Sequence, residues 1–164
     1  MNIEQAFINF DNPNIVKSIV ERRLNGDLKE LRYNYNIELN DSYDVFLKND
    51  NKRKIAISPE KDGWITIIES KEVNDYTMLI EISKETESEL VAIQQYDSVG
   101  AWGYVLINKG EIVDSYFSED DYDYENMIFD KMKTKGINNV LLLFREVIQM
   151  KDENWMLVKK NYDV

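Results

Sequence analysis

The densest set of groups able to do ion-binding or acid–base chemistry in this chain is a run of carboxylates, Glu119, Asp120, Asp121, Asp123 and Glu125, with Tyr122 and Tyr124 set among them. Carboxylate-rich loops bind hard cations through oxygen. A calcium loop of the helix–loop–helix type needs alternating oxygen ligands, a glycine at its sixth position and a bidentate glutamate at its twelfth. Counting from Glu119, Asp121 and Asp123 fall on ligand positions, but Tyr124 takes the sixth place and Asp130 the twelfth. The calcium-loop match fails. A looser divalent-ion site stays open, as does a pair of acids flanking a glycosidic bond, a mechanism set by separation in space rather than along the chain.

The chain holds no histidine and no cysteine. That removes Ser-His-Asp and Cys-His nucleophilic systems, zinc held by imidazole or thiolate, and the commonest general base near neutral pH. There is no G-x-S-x-G elbow, no Walker-type phosphate loop and no G-x-G-x-x-G fingerprint. Gly100 and Gly103, flanking Ala101 and Trp102, have the wrong spacing for a phosphate cradle. No cofactor or metal is expected, and the leading expectation is a protein that is not an enzyme. A carboxylate-dependent or divalent-metal-assisted enzyme is the first alternative, and a structural or assembly module the second.

Twenty basic residues stand against thirty-one acidic ones, for a net charge of -11. A field of that sign repels phosphate backbones and anionic headgroups and attracts a basic protein. Neither nucleic acid nor a membrane is the expected partner. The expected partner-binding surface is Glu119, Asp120, Asp121, Tyr122, Asp123, Tyr124 and Glu125, because tyrosines among acids supply large amphipathic contact area beside charges that steer a basic protein. The same run has a plain structural account: it places negative charge before a helix starting near Asn126, where the helix dipole favours it. Oligomeric state is open. The lack of cysteine fits a reducing compartment, and residues 1–16 have neither a basic n-region nor an apolar h-region, so a cytoplasmic location is expected.

The elements that must position these groups follow from periodicity. Asn12 and Pro13 supply a cap and a first helical residue for a helix closing at Gly26, with Ile15, Ile19 and Leu24 as its apolar stripe. Leu31, Tyr33, Tyr35, Ile37 and Leu39 alternate with polar residues, the period of a strand with one wet face. Further strands are expected at residues 43–48, 54–58 and 63–69. A helix from Asp75 to about Glu87 turns Met78, Leu79 and Ile82 inward. Strands follow at 89–96, 102–108 and 111–117, the last two joined by a tight link in which Gly110 suits a positive φ. Residues 126–135 read as a helix ending at Gly136, and Asn138 or Asn139 caps another carrying Val140, Leu141, Phe144, Val147 and Ile148. The tail from Trp155 is strand or helix.

Trp64, Trp102, Tyr104, Tyr116 and Phe117 read as cross-strand core or platform residues. Without repeats, low-complexity segments or a Pro/Gly/Ser linker, the chain is expected to form one α+β domain over residues 1–164. Its sheet is mainly antiparallel, with about four helices packed on one side.

Residues 63–117 carry a resemblance. Gly63 and Trp64 open a strand, Ser83 and Lys84 end a helix, and Asp97 and Ser98 form a turn. Trp102, Gly103, Tyr104, Gly110, Val113 and Asp114 then fit the hairpin pattern W-G-Y-x-L-x-x-x-G-x-x-V-D. This resembles a broad set of uncharacterised bacterial proteins, and it implies a shared α+β scaffold without implying an activity. After Phe117 the chain departs from that set, whose asparagine- or proline-bearing turn is replaced by the acidic run. In size, charge and style the chain also looks like the small acidic immunity proteins that bacteria keep beside secreted toxins. That likeness implies a cytosolic binding protein that neutralises a basic toxin.

Overall fold

The computed structural model describes residues 2–26, 52–69, 76–96, 101–118, 124–137 and 154–161. At their centre lies β1 (Asn2–Ile8), a strand that hydrophobic periodicity passes over. Gln5, Ala6, Phe7 and Ile8 are all buried, so both faces of the strand are covered and no alternation of polar and apolar residues marks it. It is followed by α1 (Pro13–Gly26), β2 (Lys52–Ile57), β3 (Ile65–Glu69), α2 (Tyr76–Glu85), β4 (Glu89–Tyr96), β5 (Ala101–Asn108), β6 (Glu111–Ser118), α3 (Tyr124–Thr134) and β7 (Met156–Asn161). The strands form one seven-stranded sheet in the order β6-β5-β4-β1-β3-β2-β7. Every neighbouring pair is antiparallel.

Register decides which side chains share a face. Ala6 stands opposite Ile67 and Ala92, and Ile8 opposite Ile65 and Leu90. With Ile55, Ile57, Ile107 and Val158 they make one apolar face, on which Val16, Ile19, Val20 and Leu24 of α1 and Met78, Leu79 and Ile82 of α2 pack. Phe7 stands opposite Val91 and Thr66 on the other face. There it joins Trp64, Ile93, Trp102 and Tyr104 in a second core with Met132 of α3 and the following Ile137.

The expectation of helices on one side is therefore corrected. The alternating residues of β4 and β5 are apolar on both faces, and each face needs its own cover. Among the described residues there are three helices, so the expected four are not supported. The helix from Asn138 or Asn139, and the strands expected at 31–39 and 43–48, lie outside the described residues. The tail is a strand, and Trp155 is buried at its start.

Local chemistry fixes the element ends. The Asn12 side chain accepts the N–H groups of Asn14 and Ile15 at 3.1 and 3.4 Å, capping α1. Ile15 itself is exposed, while Val16 and Val20 take the core stripe with Ile19 and Leu24. The sequence stripe was thus one residue out of phase at its start, because a proline at the first helical position does not by itself set the angular phase. At the end of α3, Ile137 N–H donates to Met132 O and Gly136 N–H to Lys133 O, with Gly136 at φ 77°. This Schellman arrangement puts the apolar pair Ile137 and Met132 in one core.

Candidate functional site

β5 and β6 are joined through Lys109 (φ 50°) and Gly110 (φ 86°), two positive-φ residues as a type I′ hairpin requires. The turn is clamped from below. Ser83 Oγ accepts the Gly110 N–H at 3.1 Å and donates to Ser88 O at 2.6 Å. A Cβ on Gly110 would lie 2.7 Å from Cβ of Lys84, so this position has neither the φ nor the space for a side chain.

Above the turn the hairpin carries aromatic residues on the α3 face. Tyr104 is opposite Tyr116 and Trp102 opposite Ser118. The Tyr104 and Tyr116 rings are stacked at 21° with centroids 6.0 Å apart, and Trp102 tilts against Tyr116 at 5.0 Å. Gly103 lets β6 approach, since a Cβ there would lie 2.6 Å from the carbonyl oxygen of Tyr116. Tyr104 donates its hydroxyl proton to Asp114 Oδ2 at 2.9 Å, and Asp114 Oδ1 accepts the Ser115 N–H at 2.9 Å.

A cleft of about 450 Å³ separates this aromatic floor from α3, whose Met127, Asp130, Lys131 and Thr134 form the opposite wall. Those four recur at the three- and four-residue spacing of one helix face. Lys131 Nζ sits 4.9 Å over the centre of the Tyr104 ring, a cation–π distance. Trp102 is only 3% exposed, and its indole N–H is buried without an acceptor among the described residues.

Among the described strands β6 is the edge of the sheet, and it exposes Ile112 (56%), Val113 (55%), Tyr116 (40%) and Phe117 (55%). The sequence placed Tyr116 and Phe117 among core or platform residues. In the fold Trp64, Trp102 and Tyr104 are buried, whereas Tyr116 and Phe117 are surface. No later strand among the described residues covers them.

The residues expected to bind a partner divide in two. Glu119, Asp120, Asp121, Tyr122 and Asp123 lie outside the described residues. Tyr124 and Glu125 are the first two residues of α3, which starts two residues before the expected Asn126. In sequence the run follows Ser118, the last residue of β6, and its last two residues open α3. The cleft wall on α3 was not foreseen from sequence; its spacing is the available signal, but nothing local says which sheet face receives it.

Elsewhere the charged contacts hold elements together. Arg22 on α1 donates to Glu85 and Glu81 on α2, on the opposite sheet face from α3. The hydrogen bond to Glu85, more than any other contact, raises the Arg22 guanidinium above its ordinary pKa. Lys135 reaches Glu89 at 3.0 Å, tying the end of α3 to the start of β4. Among the described residues no three acids converge on a possible cation position, and no helix is long and apolar enough to cross a membrane. No protein-family model matches the chain, and comparison with curated proteins and with solved structures yields no match.

Proposed function

We propose that the chain is a protein-binding domain that captures a basic protein partner through the β6 corner and the acidic run that follows it. The observation that supports this best is the edge strand itself, with Ile112, Val113, Tyr116 and Phe117 exposed within one eight-residue strand. Surface apolar residues scattered singly need no explanation, but four along one edge strand, with Tyr116 on its α3 face and Phe117 on the other, favour a partner that takes the edge from both faces. The charge around them is mostly acidic: Glu111 and Asp114 on the strand, Asp130 beside Lys131 across the cleft, and residues 119–125 immediately after Ser118 in sequence. Apolar and aromatic anchors give affinity, and the surrounding negative charge selects a basic partner and speeds its approach. An immunity protein that occludes a basic toxin in the cytoplasm is the biological role that suits this chemistry, and it agrees with the likeness in size and charge.

The test is capture by the immobilised full chain, eluted with a salt series, followed by affinity measurement on the purified partner. Two variants accompany it: Tyr116→Ser with Phe117→Ser, and a charge variant with Asp120→Asn, Asp121→Asn, Asp123→Asn and Glu125→Gln. The expected partner is basic, binds less tightly as salt rises, and loses affinity with both variants. A partner whose binding ignores salt and both variants would sink the reading.

A free sheet edge also suits an assembly module in which β6 pairs with β6 of a second copy. A charge of -11 on each copy works against that pairing.

A further inference from the structure

β6 presents more than exposed side chains, because on its outer side the main-chain N–H and C=O groups have no strand partner among the described residues. Such an edge is a template for another strand unless something blunts it. One device is present. Ile107 pairs with Ile112 and Leu106 with Asp114, so Val113 is an extra, bulged residue that breaks the ladder near the turn. Beyond the bulge, pairing with β5 runs without interruption from Asp114 to Ser118. This stretch contains no proline, no glycine and no lysine. Asp114 puts one charge on this edge and its Oδ1 takes the Ser115 N–H; over the four residues after it, Ser115 to Ser118, the usual protections of an edge are missing.

We propose that Asp114–Ser118 of β6 receives an extended segment of the partner as an added strand, and that this segment alternates basic and apolar residues. The inference rests on the basic-partner reading above and names its mode. Main-chain hydrogen bonds to an edge supply affinity, and alternate side chains supply specificity. The alternation follows from the pleat. Asp114 and Tyr116 share the α3 face with Trp102 and Tyr104, and Ser115 and Phe117 share the other face.

On the α3 face an incoming side chain meets the Asp114 carboxylate, which Tyr104 and Ser115 already hold in place. Two bonds leave that carboxylate with accepting capacity for a Lys or Arg. Beside it lies the exposed Tyr116 ring, with Asp130 on the facing wall. Lys131 occupies the neighbouring Tyr104 ring and shows that this aromatic floor tolerates a cation. A basic side chain suits this side through charge and through its stem on the tyrosine. On the other face Phe117 covers Gly103, where an apolar side chain extends its contact.

The experiment pans a phage-displayed library of random peptides of roughly ten residues, about one strand in length, against the full chain. An enriched sequence is then synthesised with and without N-methyl groups at alternate residues. Affinity is read by fluorescence anisotropy, and amide exchange of the protein by NMR. The expected result is peptides that alternate basic and apolar residues, protect amides in 114–118, and lose at least about tenfold in affinity when N-methylated, since main-chain bonds are lost while charge is kept. The Asp114→Asn variant is expected to bind the unmodified peptide more weakly and with less salt dependence.

Equal affinity of the N-methylated peptide overturns strand addition and leaves a basic partner standing. Enriched acidic peptides overturn both readings. No enrichment, or sedimentation equilibrium showing a dimer that protects 114–118 without any peptide, also overturns the proposal; in the second case the edge belongs to another copy of the chain.

Discussion

Tyr104 and Asp114, on neighbouring strands, are joined by a 2.9 Å hydrogen bond that fixes a carboxylate at the open side of the sheet. The bond does two things together. It spares the phenol of a nearly buried ring from losing its hydrogen bond, and it orders an acid of β6 on the sheet face that carries Trp102 and Tyr104.

Tyr104→Phe keeps the ring and removes the bond. The expected loss is about 1 kcal/mol, because the carboxylate is exposed and water takes the place of the phenol. It should appear as a lower urea midpoint with an unchanged slope. Partner affinity should fall as well, since Asp114 becomes free to move. A midpoint equal to that of the parent chain would mean that the bond contributes nothing to folding.

Ser83→Ala is a more severe change than its surface chemistry suggests. Ser83 is fully buried, and its hydroxyl serves both Gly110 N–H and Ser88 O. Removing it leaves the Gly110 N–H without this acceptor, while Ser88 O keeps the Lys109 N–H at 3.3 Å, for a loss of about 1–3 kcal/mol. Ser83→Thr keeps the hydroxyl and should recover part of that loss. Thermal unfolding of the two variants side by side is the measurement; equal losses would point to packing rather than hydrogen bonding.

Gly103→Ala tests the close approach of β6 to β5. The new methyl would meet the Tyr116 carbonyl, a main-chain atom that cannot swing aside. Overpacking of this kind costs about 1–3 kcal/mol. For a chain of this length that is a fall in Tm of roughly 2–12 °C. Faster amide exchange in 114–118 than elsewhere in the sheet is the local signature. Uniformly unchanged exchange would show that the hairpin absorbs the methyl without separating.

How far the sequence disclosed this arrangement depends on how local each signal was. The hairpin was legible because its turn needs positive φ at Lys109 and Gly110, and glycine there is a local requirement. β4 matched its expected bounds, and Gly136 marked the end of α3. β1 was invisible because burial on both faces erases the two-residue period. The placement of α3 on the second face was hidden for a related reason. Met127, Asp130, Lys131 and Thr134 share a helix face, but the surface they meet is set by long-range register between β1, β4 and β5, which no local pattern encodes. Tyr116 stacks across strands on Tyr104 as a platform residue does, but that its strand stands at an edge is set by the same long-range register, since edge and central strands favour the same aromatic residues. The acidic run was plain in the sequence. The proposal that it is a partner surface rests on charge alone, and the structure places Tyr124 and Glu125 at the start of α3.

Phe7→Ala probes the strand that periodicity overlooked. Phe7 is fully buried at the middle of the sheet, between Thr66 and Val91 in register, and belongs to the core beneath α3. Truncating such a ring removes its transfer energy and leaves a cavity, for a cost of about 3–5 kcal/mol. That is a large part of the roughly 5–15 kcal/mol that holds a domain together. Ile15→Ser is the matching control: Ile15 is exposed on α1, so its loss should shift stability by no more than about 0.5 kcal/mol. Denaturant unfolding of both variants decides the matter. If Phe7→Ala were as mild as Ile15→Ser, β1 would not be the centre of this sheet, and the division of the molecule into an α1–α2 face and an α3 face would fall with it.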